Sequence, residues 1–213
     1  MKLSLPQIYP ITDVGISGLA HNAQARALAG AGCRFLQIRD KQATSRELYE
    51  EVLRSIGEMR PVGGKVIVND RVDIAMAAGA DGVHLGQSDL SPADARKLMG
   101  EAAIIGFSAH SVEQARRALA LPIDYLAIGP IFDTRTKADP DPTVGVEMIR
   151  QVRLAIGEMP LVAIGGINSG DLQDVLEAGA DSAAIISGLA GASAGIGARF
   201  QELAELTNIV KQL

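Results

Sequence analysis

Eight short apolar runs, each closed by glycine or polar residues, limit what this chain can fold into more than any other feature. They fall at 7–13, 35–40, 65–70, 82–87, 104–110, 125–132, 161–167 and 182–187. Near-continuous apolar runs of this length read as strands buried on both faces. Helix-period segments such as 47–53 and 113–119 lie between them. From Ile8 to Ser182 the strand starts recur about every 25 residues, the length of one βα unit. Eight such units predict an α/β protein of the (β/α)8 TIM-barrel class rather than an open doubly wound sheet. No Gly-x-Gly-x-x-Gly turn follows the first run, which weighs against a dinucleotide fold. The 213 residues are expected to form one domain, 1–213, large enough to bury roughly 70% of its unfolded surface.

An internal echo supports the repeat. Residues 75–85 resemble 175–185, and 27–36 is a third copy that lacks the aspartate of the other two. In each, a helix ends at glycine and the chain turns tightly into the next strand. These turns fall at the strand N-terminal face, where the fold places stability, and are read as structural.

Composition excludes several partners. The net charge is −5 and the pI about 5.2, against a nucleic-acid or anionic-membrane surface. Aromatics are 3% of the chain and Trp is absent, which leaves little for base stacking. The one cysteine, Cys33, rules out an intrachain disulfide and is read as core packing. With no signal-like start and no apolar run near the ~18 residues that span a bilayer, the expected setting is the cytoplasm.

In this fold, chemistry gathers where strands end. The second run ends Gln37-Ile38-Arg39-Asp40-Lys41. Alternation sets Gln37, Arg39 and Lys41 on one face and Ile38 on the other, a small basic cradle suited to a phosphate ester or pyrophosphate. The third run ends Asn69-Asp70, and the fourth leads to Gly86-Gln87-Ser88-Asp89. Carboxylates from adjacent strands, ~5 Å apart, suit Mg²⁺, which takes one or two carboxylates plus phosphate oxygens and water. The competing reading makes Asp70 and Asp89 helix caps. Gly165-Gly166 and Ser187-Gly188 close the seventh and eighth runs, the usual phosphate position of this barrel, although tight turns would also demand glycine there. Thr134, Arg135, Thr136 and Lys137 lie on a long polar loop, read as a lid, with Asp139-Pro140-Asp141-Pro142 behind it. His84 is read as a core or outward-packed histidine. His110, at a strand end, is harder to dismiss as packing.

Taken together these segments resemble the thiamine-phosphate synthase family. The likeness runs from about Tyr9 to about Gly188. It is carried by the segments 37–41, 68–73, 82–89, 108–110, 129–137, 164–167 and 186–187, in that order. The resemblance implies a transferase that joins an aminopyrimidine methyl diphosphate to a thiazole phosphate and releases pyrophosphate. It implies the pyrimidine diphosphate on Gln37, Ile38, Arg39, Asp40, Lys41, Asn69, Ser108 and Lys137, with Arg39, Lys41, Ser108 and Lys137 acting in catalysis. It implies Mg²⁺ on Asp70 and Asp89, and the thiazole phosphate on Thr134, Arg135, Thr136, Gly166, Ile186 and Ser187. By formal charge, Mg²⁺ with Arg39, Lys41 and Lys137 against the two aspartates leaves about three positive charges for a pyrophosphate of roughly three negative. The position before Thr134, often Pro in the family, is Asp133, a departure expected to bear on loop closure or thiazole preference. The alternatives are a thiazole tautomerase on the same barrel, using a strand-five histidine such as His110, and a non-catalytic regulator that binds thiamine precursors. A sugar-phosphate isomerase or aldolase is disfavoured, because no strand-end Glu or buried Schiff-base lysine stands out.

Overall fold

The computed structural model describes residues 3–134, 142–189 and 195–210, with side chains through residue 207. The eight runs are eight parallel strands: β1 Ile8–Thr12, β2 Phe35–Ile38, β3 Lys65–Asn69, β4 Gly82–Leu85, β5 Ile104–Ala109, β6 Tyr125–Ile128, β7 Leu161–Ile164 and β8 Ser182–Ile185. They pair in sequence order and β8 returns to β1, which closes the barrel. The connecting helices are α1 Val14–Ser17, α2 His21–Gly30, α3 Ser45–Met59, α4 Val72–Ala78, α5 Pro92–Met99, α6 Val112–Ala118, α7 Gly145–Ile156, α8 Leu172–Glu177 and α9 Ile196–Val210. Among the described residues no helix is long and apolar enough to cross a membrane.

Alternation along the strands divides the core in two. Leu36, Ile38, Val66, Val68, Val83 and Leu85 face the helices in the larger cluster. Their neighbours Phe35 and Ile67, with Tyr9, Ile104, Tyr125 and Val162, fill the barrel interior. On α3 the spacing of Leu48, Val52, Ile56 and Met59 buries one stripe. Thr44 and Glu47 form a reciprocal capping box at its start, a device worth about 1 kcal/mol.

The internal echo has a physical cause. Asp81, Asp124 and Asp181 each stand immediately before an even-numbered strand, and each carboxylate accepts the first free N–H of the strand before it. The partners are Val66 N (2.9 Å), Ile105 N (2.8 Å) and Leu161 N (2.8 Å). Each backbone N–H in turn donates to the carbonyl of the same partner residue. Lys65, Arg96 and Arg153 neutralise the three carboxylates. Before β2 the equivalent position is Arg34, whose guanidinium donates to the carbonyls of Ala29 and Cys33 instead. The echo is a set of carboxylate clamps on the N-terminal face.

Candidate active site

At the opposite face the strand ends surround a cavity of about 1380 Å³. Gln37, Arg39, Asp40, Lys41, Asn69, Asp70, Asp89, Ser108, Thr134 and Ile186 all line it. Ile38 does not: its side chain is wholly buried in the outer core, as alternation requires. Gly166 and the exposed Ser187 stand outside the lining. Arg135, Thr136 and Lys137, with the lid reading and most of the Asp139–Pro142 segment, lie outside the described residues.

The basic cradle is not one row. β2 ends at Ile38, and beyond it the chain turns, so the charges diverge to the two neighbouring strand ends. Arg39 pairs with Asp13 after β1 at 2.7 Å, with both side chains 14% exposed. Lys41 pairs with Asp70 after β3. Between them Asp40 accepts from the backbone N–H groups of Gln42 and Ala43, both at 2.9 Å, and meets His21 Nε2 at 3.3 Å. Burial acts to raise the Asp40 pKa, but these donors outweigh it and hold the carboxyl below its ordinary value. His21 Nδ1 lies 2.8 Å from Thr12 Oγ1, which anchors the turn to β1.

Neither aspartate is a helix cap. α4 has no side-chain cap, and α5 is capped by Ser91, which accepts from Asp94 N. Asp70 has φ 61°, the one left-handed non-glycine residue among those described. That conformation costs roughly 1–2 kcal/mol for an ordinary L-residue, less for Asp and Asn. Asp89 Oδ2 accepts from Gly86 N at 2.7 Å, which folds the β4 loop back toward the barrel. The two carboxylates stand close enough for the Asp89 charge to act on Asp70. Burial raises the Asp70 pKa; Lys41 opposes this and Asp89 adds to it, and the net direction is upward. Two facing carboxylates are a hard, oxygen-only donor set. Among the described residues no group of three or more His, Cys, Asp or Glu side chains converges. The protein would therefore supply two ligands and leave the others to phosphate oxygens and water, which fits Mg²⁺ and not zinc.

Gly165 and Gly166 have φ 101° and 67°, and an added Cβ would stand 2.6 Å from Pro130 Cα and 2.5 Å from the Asp133 carbonyl oxygen. Turn conformation and close approach to the β6 loop are thus sufficient reasons for both glycines. Asp133 accepts from Thr143 Oγ1 at 2.7 Å, which ties together the two described ends of the loop that begins after Thr134.

Three interior residues, His84, Tyr125 and Tyr9, carry polar chemistry that the sequence did not reveal. His84 lies inside the barrel and not on its outer side, with Nδ1 3.0 Å from Tyr125 Oη and Nε2 2.8 Å from Ser108 Oγ. Tyr125 Oη is 3.0 Å from Tyr9 Oη, and Gln37 Nε2 donates to Tyr9 Oη at 3.0 Å. The signal was available: Val83 and Leu85 flank His84, so if they face the helices it must face inward. Gly106 makes room for the group, since a Cβ there would stand 2.1 Å from Tyr125 Cζ and 2.5 Å from His84 Nδ1. His110 also lines the cavity, with Nδ1 2.7 Å from the Gly129 carbonyl oxygen.

A closed (β/α)8 barrel with paired carboxylates and cations at the C-terminal mouth belongs to the class of barrel enzymes that work at their βα loops. A family model described as thiamine monophosphate synthase matches residues 8–189, and the chain belongs to that family. A thiamine-phosphate synthase from Syntrophomonas wolfei is 44% identical over 187 residues, which cover 87% of this chain and 89% of that protein. Another, from Chloroflexus aurantiacus, is 40% identical over 207 residues, covering 97% and 94%. Among solved structures, a thiamine phosphate pyrophosphorylase from Pyrococcus furiosus aligns with a TM-score of 0.86 at 33% identity, covering 96% of each chain.

Proposed function

We propose that the cavity joins an aminopyrimidine methyl diphosphate to a thiazole phosphate, in a protein whose residues 1–213 act as one catalytic domain in the cytoplasm. The chain is a thiamine-phosphate synthase, a transferase of thiamine biosynthesis that releases pyrophosphate. The observation that carries the site assignment is the convergence of Asp70, Asp89 and Lys41 on one rim of a cavity that Arg39 also lines and that Gln37 and Ser108 floor. At about 1380 Å³ the space exceeds the ~300–1,000 Å³ usual for one small ligand, as a two-substrate condensation requires. Burial pushes the Cys33 thiol up to about 11, so it stays a neutral packing group, in keeping with a reducing compartment.

Asp70 and Asp89 would hold Mg²⁺, which when bound offsets the charge on the departing pyrophosphate. Lys41 and Arg39 flank that position, and Lys137 belongs to the same cluster in this reading. Gln37, Asn69 and Ser108 orient the pyrimidine, with the backbone of Ile38 and Asp40 shaping the turn between them. Thr134, Arg135, Thr136, Gly166, Ile186 and Ser187 receive the thiazole phosphate. The carbon–oxygen bond to pyrophosphate breaks, its electron pair leaves with the pyrophosphate, and the thiazole nitrogen captures the pyrimidine methylene cation. No general base is needed. The residues supply alignment and leaving-group stabilisation.

The test supplies both substrates with Mg²⁺ and assays thiamine phosphate and pyrophosphate together. Equimolar products are expected. Thiazole isomerisation without condensation would transfer the assignment to a tautomerase, with His110 as the residue to examine.

A further inference from the structure

The floor of the cavity is a continuous chain of buried polar groups, Gln37–Tyr9–Tyr125–His84–Ser108, crossing the barrel from β2 to β5. Successive contacts are 3.0, 3.0, 3.0 and 2.8 Å. Gln37, Tyr9, Tyr125 and His84 are 3%, 1%, 0% and 6% exposed. Only its two ends, Gln37 and Ser108, belong to the substrate site proposed above. The middle members have no part in that assignment, although His84 also lines the cavity. A barrel interior could be filled by apolar side chains at less risk, because each buried polar group must find a partner.

We infer that Tyr9, Tyr125 and His84 are positioning residues that tie the hydrogen-bond polarity of Gln37 to that of Ser108, so that the two ends of the pyrimidine site present opposite characters together. The supply of protons along the chain fixes the direction of each bond. Burial pushes both phenols well above their ordinary pKa, so each keeps one proton and donates once. Gln37 Nε2 donates to Tyr9, which leaves the Tyr9 proton for Tyr125 and the Tyr125 proton for His84 Nδ1. With a single ring proton, His84 then carries it on Nε2 and donates to Ser108 Oγ. The Gln37 carbonyl remains as an acceptor and the Ser108 hydroxyl as a donor for the cavity. With a single ring proton on His84, reversing every bond at once gives the other fully satisfied state, with Gln37 a donor and Ser108 an acceptor. Any mixed state leaves a phenol proton without an acceptor or two oxygens facing each other without a proton, at about 1–3 kcal/mol.

The inference rests on the functional reading for its ligand. An aminopyrimidine edge offers amine donors beside a ring-nitrogen acceptor, which matches the first state. An acceptor on the amine also pushes electron density into the ring that must lose pyrophosphate. The 4-oxo analogue inverts the edge, and it would require the whole chain to reverse.

Two measurements test this. In the ligand-free protein, ¹⁵N chemical shifts of His84 at neutral pH should report the Nε2–H tautomer; the Nδ1–H tautomer would overturn the assignment whatever reaction the protein performs. The second compares inhibition constants of the monophosphates of 4-amino- and 4-oxo-5-hydroxymethylpyrimidine against the condensation assay. Tyr125→Phe keeps the ring and cuts the relay, so the preference for the amino compound should fall by at least about tenfold. A merely structural role would weaken both compounds alike, and an unchanged ratio in a folded variant would sink the relay. Should Tyr125→Phe fail to fold, Tyr9→Phe breaks the same chain one link earlier and carries the same expectation.

Discussion

The two ends of the barrel use aspartates in opposite ways. On the N-terminal face, Asp81, Asp124 and Asp181 each accept a strand N–H and each meet one cation, so every charge is matched within the fold. On the C-terminal face, Asp70 and Asp89 face each other, one held in a left-handed backbone, and Asp70 is harder to ionise than an ordinary carboxyl. The same side chain serves stability where its partners are complete. In the function proposed above, it serves chemistry where they are left for a ligand to complete.

This contrast can be broken from either side. The largest effect is expected from Asp89→Asn, which keeps an acceptor for Gly86 N but removes the charge. Pyrophosphate release should fall on the order of 10²–10³-fold, with little change in melting temperature. Normal turnover would end the metal assignment. At the other face, Asp124→Ala should leave kcat/KM of the folded enzyme intact and cost about 2–3 kcal/mol in a denaturant titration. It orphans Ile105 N and removes the counter-charge of the largely buried Arg96, which keeps its backbone carbonyl acceptors. A loss of activity without a loss of stability there would invert the comparison.

The smallest effect should be that of Asp70→Asn on the stability of the metal-free protein, and it sharpens the contrast through its sign. Asn tolerates the left-handed backbone. Because the folded state raises the Asp70 pKa, ionising this group works against folding. The metal-free Asn variant should therefore be more stable than the parent at neutral pH, though less active. The gain should vanish below the ordinary carboxyl value near 3.8 and reach its full size above the raised folded one. Equal stability of the two proteins at pH 7 would show that Lys41 already offsets the repulsion.

The strands were legible because burial on both faces writes itself as uninterrupted apolar runs, and all eight appear where those runs stand. The site was legible as residue types at strand ends but not as geometry. Arg39 and Lys41 diverge because the strand stops at Ile38, and sequence periodicity cannot mark that stop. Asp13 and His21, which orient Arg39 and Asp40, went unnoticed because their partners lie one strand away. His84 and the two tyrosines looked like core because they are core; their polar atoms matter only through contacts across the barrel. The capping reading failed for both aspartates because α4 starts without a side-chain cap and Ser91 already caps α5. Two of the clamps, at Asp81 and Asp181, were visible as an echo of sequence, but their purpose depends on a neighbouring strand's free N–H.

The arginine at position 34 makes the barrel closed in topology but uneven in its resistance to opening. β3, β5 and β7 are stapled at their starts by a carboxylate, whereas β1 has no such staple and meets β2 through only two register pairs, Ile11 with Gln37 and Thr12 with Ile38. In native-state hydrogen exchange the Arg39 amide, bonded to the Thr12 carbonyl across that seam, should exchange before those of Val66, Ile105 and Leu161. The barrel has a preferred place to breathe, and it runs beneath Arg39 at the wall of the cavity.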